Sequence, residues 1–254
     1  SLDALNAQRV SVSESLTKIT RDSPQVQIYD AARTAVGSFA AMVNTLNAEV
    51  GGRRLFAGTA VDQPALAPPQ DMLSDLVASL GGANDVATIL AGVDTWFEDP
   101  AGGFATIGYL GDAGAQAQRR LDDTTVVTLD ARADNPALRT TLKGAAIAAL
   151  AEDMPGLNKQ TRAALLFDGG VRLQSSAIEI VDVQARLGFA ESEVERLNTT
   201  LAAEQTALTI VRNDLVGDDP FETATALQSV QLQLETHYQI TARLSRLSLA
   251  EYLR

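Results

Sequence analysis

The chain has 254 residues, of which 46% are hydrophobic and 20% charged, with a net charge of −12 and no cysteine. That length and balance suit one or two globular domains with a real core. The acidic surplus argues against nucleic acid and against anionic lipid as partners, since both need a basic face. Absent cysteine excludes disulfides, thiolate metal sites and cysteine nucleophiles.

The opening residues already carry a helical stripe: Leu2, Leu5, Val12, Leu16 and Ile19. They lack an initiating Met and any basic-then-apolar signal pattern, so a preceding segment is expected. "RDSPQ" breaks the stripe, with Ser23 predicted as N-cap and Pro24 at the first helical position. The stripe resumes through Tyr29, Ala32, Val36, Phe39, Val43, Leu46 and Val50, whose steps of three and four share one helix face. Gly51 and Gly52 are predicted to end that helix.

The middle, from about 57 to 170, holds 13 of the 18 glycines and 6 of the 8 prolines. "DMLSDLVASL" and "NDVATILAGVDTWF" read as helices, and Trp96 and Phe97 as fillers of a local core. "FATIGYL" and "TTVVTLDA" read as strands. "GYLGDAG" (108–114) reads as a turn between strands, because no Gly-Lys-Ser/Thr follows to make a phosphate loop. "DNPALRTTLKGAAIAALAED" reads as a helix capped by Asn135. Its apolar run is too short to cross a bilayer.

The C-terminal part is a long heptad. One position reads Ile180, Leu187, Val194, Leu201, Leu208 and Leu215; the other reads Val183, Ala190, Leu197, Glu204 and Val211. A helix from Ala177 to Leu215 would be roughly 58 Å long at about 1.5 Å per residue. Glu204 interrupts the seam and is either partly exposed or a register-setting contact. "VGDDPFE" then stops the rod, with Asp219 as cap and Pro220 opening the last helix. That helix carries Leu227, Val230, Leu234, Ile240, Leu244, Leu247, Leu249 and Leu253, too many apolar sides for one neighbour.

Chemistry is sparse. The sole histidine, His237, lies on the apolar terminal helix and reads as structural. Asp122–Asp123 and Asp218–Asp219 read as solvated loop charge or caps rather than a cation site. No enzymatic motif, metal or cofactor is expected. The fold class is therefore mainly α, a coiled-coil-like bundle from both chain ends with an inserted smaller α+β unit. The expected boundaries are 1–56 with 171–219 for the rod, 57–170 for the insert and 220–254 for a terminal helix. In the rod, Tyr29, Val36, Phe39, Val43 and Leu46 are expected to pack with Leu187, Val194, Leu197, Leu201, Leu208, Val211 and Leu215.

Three segments carry a family resemblance. Gly51-Gly52, Leu55-Phe56 and Gly58-Thr59, followed by Asp62 and Pro64, resemble a "GG..LF.GT…DTP" turn. Arg186-Leu187-Gly188 with Leu197 resembles the start of a family rod, and "DDPFETATALQSVQLQLETHYQITARLSRLSLAEYLR" resembles a family C-terminus. Taken in order, they resemble the flagellin superfamily and, within it, the branch of hook-associated protein 3, the hook–filament junction. Ser248-Leu249 with Tyr252-Leu253 is similar to the ending of that branch.

The resemblance implies an extracellular structural adaptor of the bacterial flagellum, exported unfolded through the flagellar type III apparatus. Its partners would be the first hook-associated protein on the hook side, flagellin on the filament side and further copies of itself. It also implies that the helix 227–253 serves subunit assembly. An export chaperone is expected there, since its leucines would otherwise be exposed. Flagellin itself and a secreted helical binding module are the alternatives the sequence leaves open.

Overall fold

The computed structural model describes residues 1–112, 114, 117–120, 126–129, 132–217 and 220–252. They form two compact units, Ser1–Val194 and Glu195–Arg254. The chain is mainly α, as its periodicity predicts. Helices α1 (Leu2–Leu16), α2 (Gln25–Leu46), α3 (Pro69–Ser79), α4 (Val86–Glu98), α5 (Pro136–Asp153) and α6 (Lys159–Ser175) lie in the first unit. Helix α7 (Ala177–Val216) begins there and runs into the second, which also holds α8 (Pro220–Tyr252).

The core of the first unit is built on α5. Every residue from Thr141 to Ala151 is buried, and all but Thr141 and Lys143 are apolar or Gly, as a helix enclosed on all sides requires. Many of these residues are Ala or Gly, so neighbours approach closely. The main packing pairs are α5 with α6 and with α2, α1 with α6 and with α2, and α3 and α4 against α5. Asn135 caps α5 as predicted, its side chain accepting from the Ala137 N–H at 2.9 Å.

This packing divides the chain differently from the expected boundaries. The apolar face of α2 is covered by α5, α1, α6 and α3, so rod and insert share one core. The buried face is also rotated from the predicted stripe. It comprises Ile28, Ala32, Ala35, Phe39, Met42, Val43 and Leu46. Tyr29 is half-buried beneath the Arg162 guanidinium, 5.0 Å from its ring centroid, and Val36 packs at the edge of the core.

Three local expectations are corrected. Ser23 does not cap α2. Its hydroxyl accepts from the Thr20 N–H at 3.0 Å, closing the preceding turn, and Pro24 holds the cap position. Helix α2 ends at Leu46, because Asn47 turns its side-chain amide onto the backbone of Leu66, donating at 2.9 Å and accepting at 2.8 Å. Gly51 and Gly52 instead make the tight turn of a hairpin, β1 (Glu49–Val50) with β2 (Arg53–Arg54). Their φ values of 59° and 76° are those a two-residue hairpin turn requires. Val50 is thus an exposed strand residue.

"FATIGYL" is mostly not a strand. Phe104–Gly108 is a π-helical turn, closed by Tyr109 N–H to Phe104 C=O at 2.7 Å, and Tyr109 makes a single bridge with Leu66. Gly102 and Gly103 lie directly on the end of α4, where no side chain fits, and the chain coils around Trp96 rather than extending. "TTVVTLDA" does contain a strand, β4 (Val126–Leu129), paired antiparallel with β3 (Ala117–Arg120). The glycine run 108–114 ties back to the 57–60 loop. The Asp112 N–H donates to Ala57 C=O at 3.0 Å, and its carboxylate accepts from the Thr59 hydroxyl and the Gly114 N–H.

An ion-pair network joins α4, α5 and α6. Lys143 reaches Asp94 at 3.0 Å and Glu98 at 2.9 Å, and Arg172 also reaches Asp94 at 3.0 Å. Burial pushes the Asp94 carboxyl up, but Lys143 and Arg172 together outweigh it and hold the group below its ordinary value. A carboxyl lowered on folding stabilises above its unfolded pKa of about 3.9. That contribution is lost as pH falls through the lower folded value. Thermal melts of the parent chain and Asp94→Asn should therefore differ at pH 7, and the gap should close below about pH 4. A gap that stays constant down to pH 2 would contradict this account.

Candidate assembly surface

Helix α7 continues without Gly or Pro from Phe189 to Val216, on residues that favour helix. The hydroxyls of Thr199, Thr200, Thr206 and Thr209 bond back to the carbonyls four residues earlier, so they need no other partner. Its heptad seam changes character along its length. Ile180, Val183 and Ala190 are buried, Leu187 packs on the core, and Val194 is 38% exposed. Leu197 is half-buried, and from Leu201 onward every residue of α7 is exposed. Leu208 reaches 70% exposure and Leu215 81%, with Val211 open between them. The seam is one pattern in sequence, and only its first part finds cover.

Helix α8 is open as well. Leu227, Val230, Leu234, Ile240 and Leu244 are all about half exposed or more. Leu247 and Leu249 fall outside the described side chains, and Leu253 outside the described residues. His237 lies on the exposed surface of α8. Asp122, Asp123, Asp218 and Asp219 also lie outside the described residues.

Burying one such Leu or Val contributes about 1.5–3 kcal/mol, so a partner that covers several at once gains substantially. An uncovered side chain contributes little to the unit that carries it. Leu208→Gln should change unfolding free energy by no more than about 0.5 kcal/mol. A loss above about 1 kcal/mol, measured by urea denaturation, would mean that Leu208 is covered in solution.

A cleft of about 680 Å³ in the first unit is lined by Leu2, Asp3, Arg53, Phe56, Arg132 and Leu187, among others. Asp3 is engaged by the Gln184 amide at 2.6 Å. The cleft brings together no nucleophile with a base and no pair of buried carboxylates. Among the described residues the carboxyl with a net rise from burial is Asp153, next to Glu152 at the end of α5 and not in the cleft. Among the described residues no group of three metal-ligating side chains occurs, and no helix is long and apolar enough to cross a membrane.

An uncovered heptad seam followed by an open apolar helix is a surface made for other helices. Residues 173–253 match the bacterial flagellin C-terminal helical region. This flagellin-type segment begins near the end of α6 and takes in α7 and α8, so it contains the whole exposed surface. It supports a place in the flagellin superfamily and a structural role in the flagellum. No curated protein and no solved structure matches the chain.

Some residues that shape the first unit were not legible in sequence. Arg9 sits within the α1 stripe and is buried, its guanidinium donating to Leu173 C=O at 2.8 Å and to Asn6. Its place in the stripe, at a heptad position where a Leu would be expected, was the available signal. Arg162 similarly binds the carbonyls of Ala151 and Leu157 and holds the end of α5.

Proposed function

We propose that this protein is the adaptor that joins hook to filament in a bacterial flagellum. It is a structural, non-catalytic component that works through helix packing. The observation that carries the reading is the coincidence of the flagellin-type segment 173–253 with the uncovered apolar faces of α7 and α8. A subunit of a tube needs lateral helical surfaces that stay open until neighbours arrive. Heterologous contacts between such surfaces build helical arrays. The "GGRRLFAGT" turn with Asp62 and Pro64, and the "SLAEYL" ending, favour the junction branch over flagellin.

On this reading the partners are the first hook-associated protein, flagellin and copies of the chain itself. A chaperone covers α8 before export through the type III apparatus. The rod-packing face at Leu201, Leu208, Val211 and Leu215 and the assembly face at Leu227, Val230, Leu234, Ile240 and Leu244 act together, with Leu247, Leu249 and Leu253 extending the latter. The expected result of deleting the gene is intact hooks without filaments, with monomeric flagellin in the medium. Electron microscopy and an anti-flagellin immunoblot read both. Loss of filament and flagellin antigen together would make the chain the filament subunit. Normal filaments would remove the flagellar reading.

A further inference from the structure

A single residue, Ser176, separates α6 from α7. Its φ of −68° is helical and its ψ is −4°. A rotation of about 40° in that one ψ, to the helical value of about −42°, would make the two helices one. The backbone ladder records the break. The Ser176 N–H donates to Arg172 C=O at 3.1 Å, and bonding resumes with Ile180 N–H to Ser176 C=O at 3.1 Å. In between, the N–H groups of Ala177, Ile178 and Glu179 make no backbone bond to α6.

The Leu173 carbonyl, which a continuous helix would give to Ala177, is taken by two side chains instead. The Arg9 guanidinium of α1 donates to it at 2.8 Å, and the Ser176 hydroxyl at 2.9 Å. The Thr141 hydroxyl of α5 lies 3.1 Å from that of Ser176. Arg9, Thr141, Leu173 and Ser176 are all buried. A side chain that enters the ladder bends a helix, and so does a serine that bonds back to its own turn. A well-packed apolar side chain in place of buried Arg9 would cost no stability, so its value lies in what it holds.

We infer that Arg9 is a latch through which α1 sets the course of α7. While the guanidinium holds the Leu173 carbonyl, the helix is broken at Ser176. Release of Arg9 returns that carbonyl to Ala177 and joins α6 and α7 into one continuous helix. The flagellin-type segment 173–253 begins at this carbonyl, so the latch sits at its entrance. The inference is independent of the flagellar reading, and the deletion phenotype does not bear on it.

The test is amide hydrogen exchange by NMR on the full chain, read at Ala177. In the parent this amide should exchange close to the unprotected rate. Arg9→Met keeps an unbranched apolar side chain in the α1 stripe and removes the donor. It should slow exchange at Ala177 at least about tenfold, because a new backbone bond protects it. Arg9→Lys keeps a cationic donor and should keep the parent rate. Mere loosening of the α1 contact would speed exchange, the opposite sign. If Arg9→Met loses the far-ultraviolet circular dichroism of the parent, Ser176→Ala carries the test, with slowing of about threefold or more expected at Ala177. Protection of Ala177 in the parent, or unchanged or faster exchange in the folded variant, would overturn the inference.

Discussion

Gly169→Val should lower the unfolding free energy of the first unit by about 3 kcal/mol or more, the upper range for overpacking a tight core. A Cβ at Gly169 would lie 2.7 Å from the Gly144 carbonyl oxygen and 2.9 Å from both the N and the Cβ of Ala148. Two of these three obstacles are backbone atoms of α5, which cannot turn aside as a side chain can. Gly144 faces back in the same way, with Leu173 N at 3.0 Å from its own notional Cβ. The two helices touch backbone to backbone, and one added branch must separate them. At about 2–4 °C per kcal/mol for a unit of this size, the melting temperature should fall by about 6–12 °C. Gly188→Ala is the matched control. It has open space around it and should gain up to about 1 kcal/mol from helix propensity. Equal effects at the two positions would show that α5 and α6 are not in close contact.

Trp96→Ala should cost about 3–5 kcal/mol. The indole is 4% exposed, stands edge-on to Phe97 at 4.7 Å and to Phe104 at 6.2 Å, and donates its N–H to Asp75 at 2.7 Å. Phe104 in turn stacks with Phe97 at 5.4 Å and Tyr109 at 6.5 Å. Removing the indole opens the centre of this group and strands the Asp75 carboxylate. Trp96→Phe keeps most of the apolar bulk and loses the donor, so it should cost about 1–3 kcal/mol. Because Trp96 is the sole tryptophan, urea unfolding must be followed by far-ultraviolet circular dichroism. If Trp96→Ala unfolds within about 1 kcal/mol of the parent chain, the aromatic group is not the core of this region.

What the sequence made legible follows from the range of the interactions involved. Helices α3, α4 and α5 were readable because their signals are local: a 3.6-residue apolar period, and at α4 and α5 side-chain caps at Asp85 and Asn135. The heptad of α7 was readable for the same reason. The rotation of the α2 face from Tyr29 and Val36 to Ile28, Ala35 and Met42 was not. It depends on which helices cover α2, and α5 begins 90 residues after α2 ends. The π-helical turn at Phe104 was missed because alternation over seven residues mimics a strand. The contacts of Gly102 and Gly103 with α4 that forbid extension are tertiary. At the candidate surface the identities were legible but their state was not. Periodicity places Leu187 and Leu208 on the same seam, and only packing shows that one is covered and the other open.

The central position of α5 also governs how the chain can reach its native state. Its immediate neighbours are α6, close in sequence, and α2, about a hundred residues earlier; α1 closes on α6 across about 150 residues. Such pairings have high contact order, so large loops must close before the core offers any return. A chain emerging from its N-terminal end presents the α2 face, with Phe39, Met42 and Leu46, as an unpaired surface until α5 and α6 follow. The cooperative step therefore belongs to the moment when the latter part of the first unit becomes available, and a chain cut before α6 should remain collapsed and protease-sensitive rather than partly native.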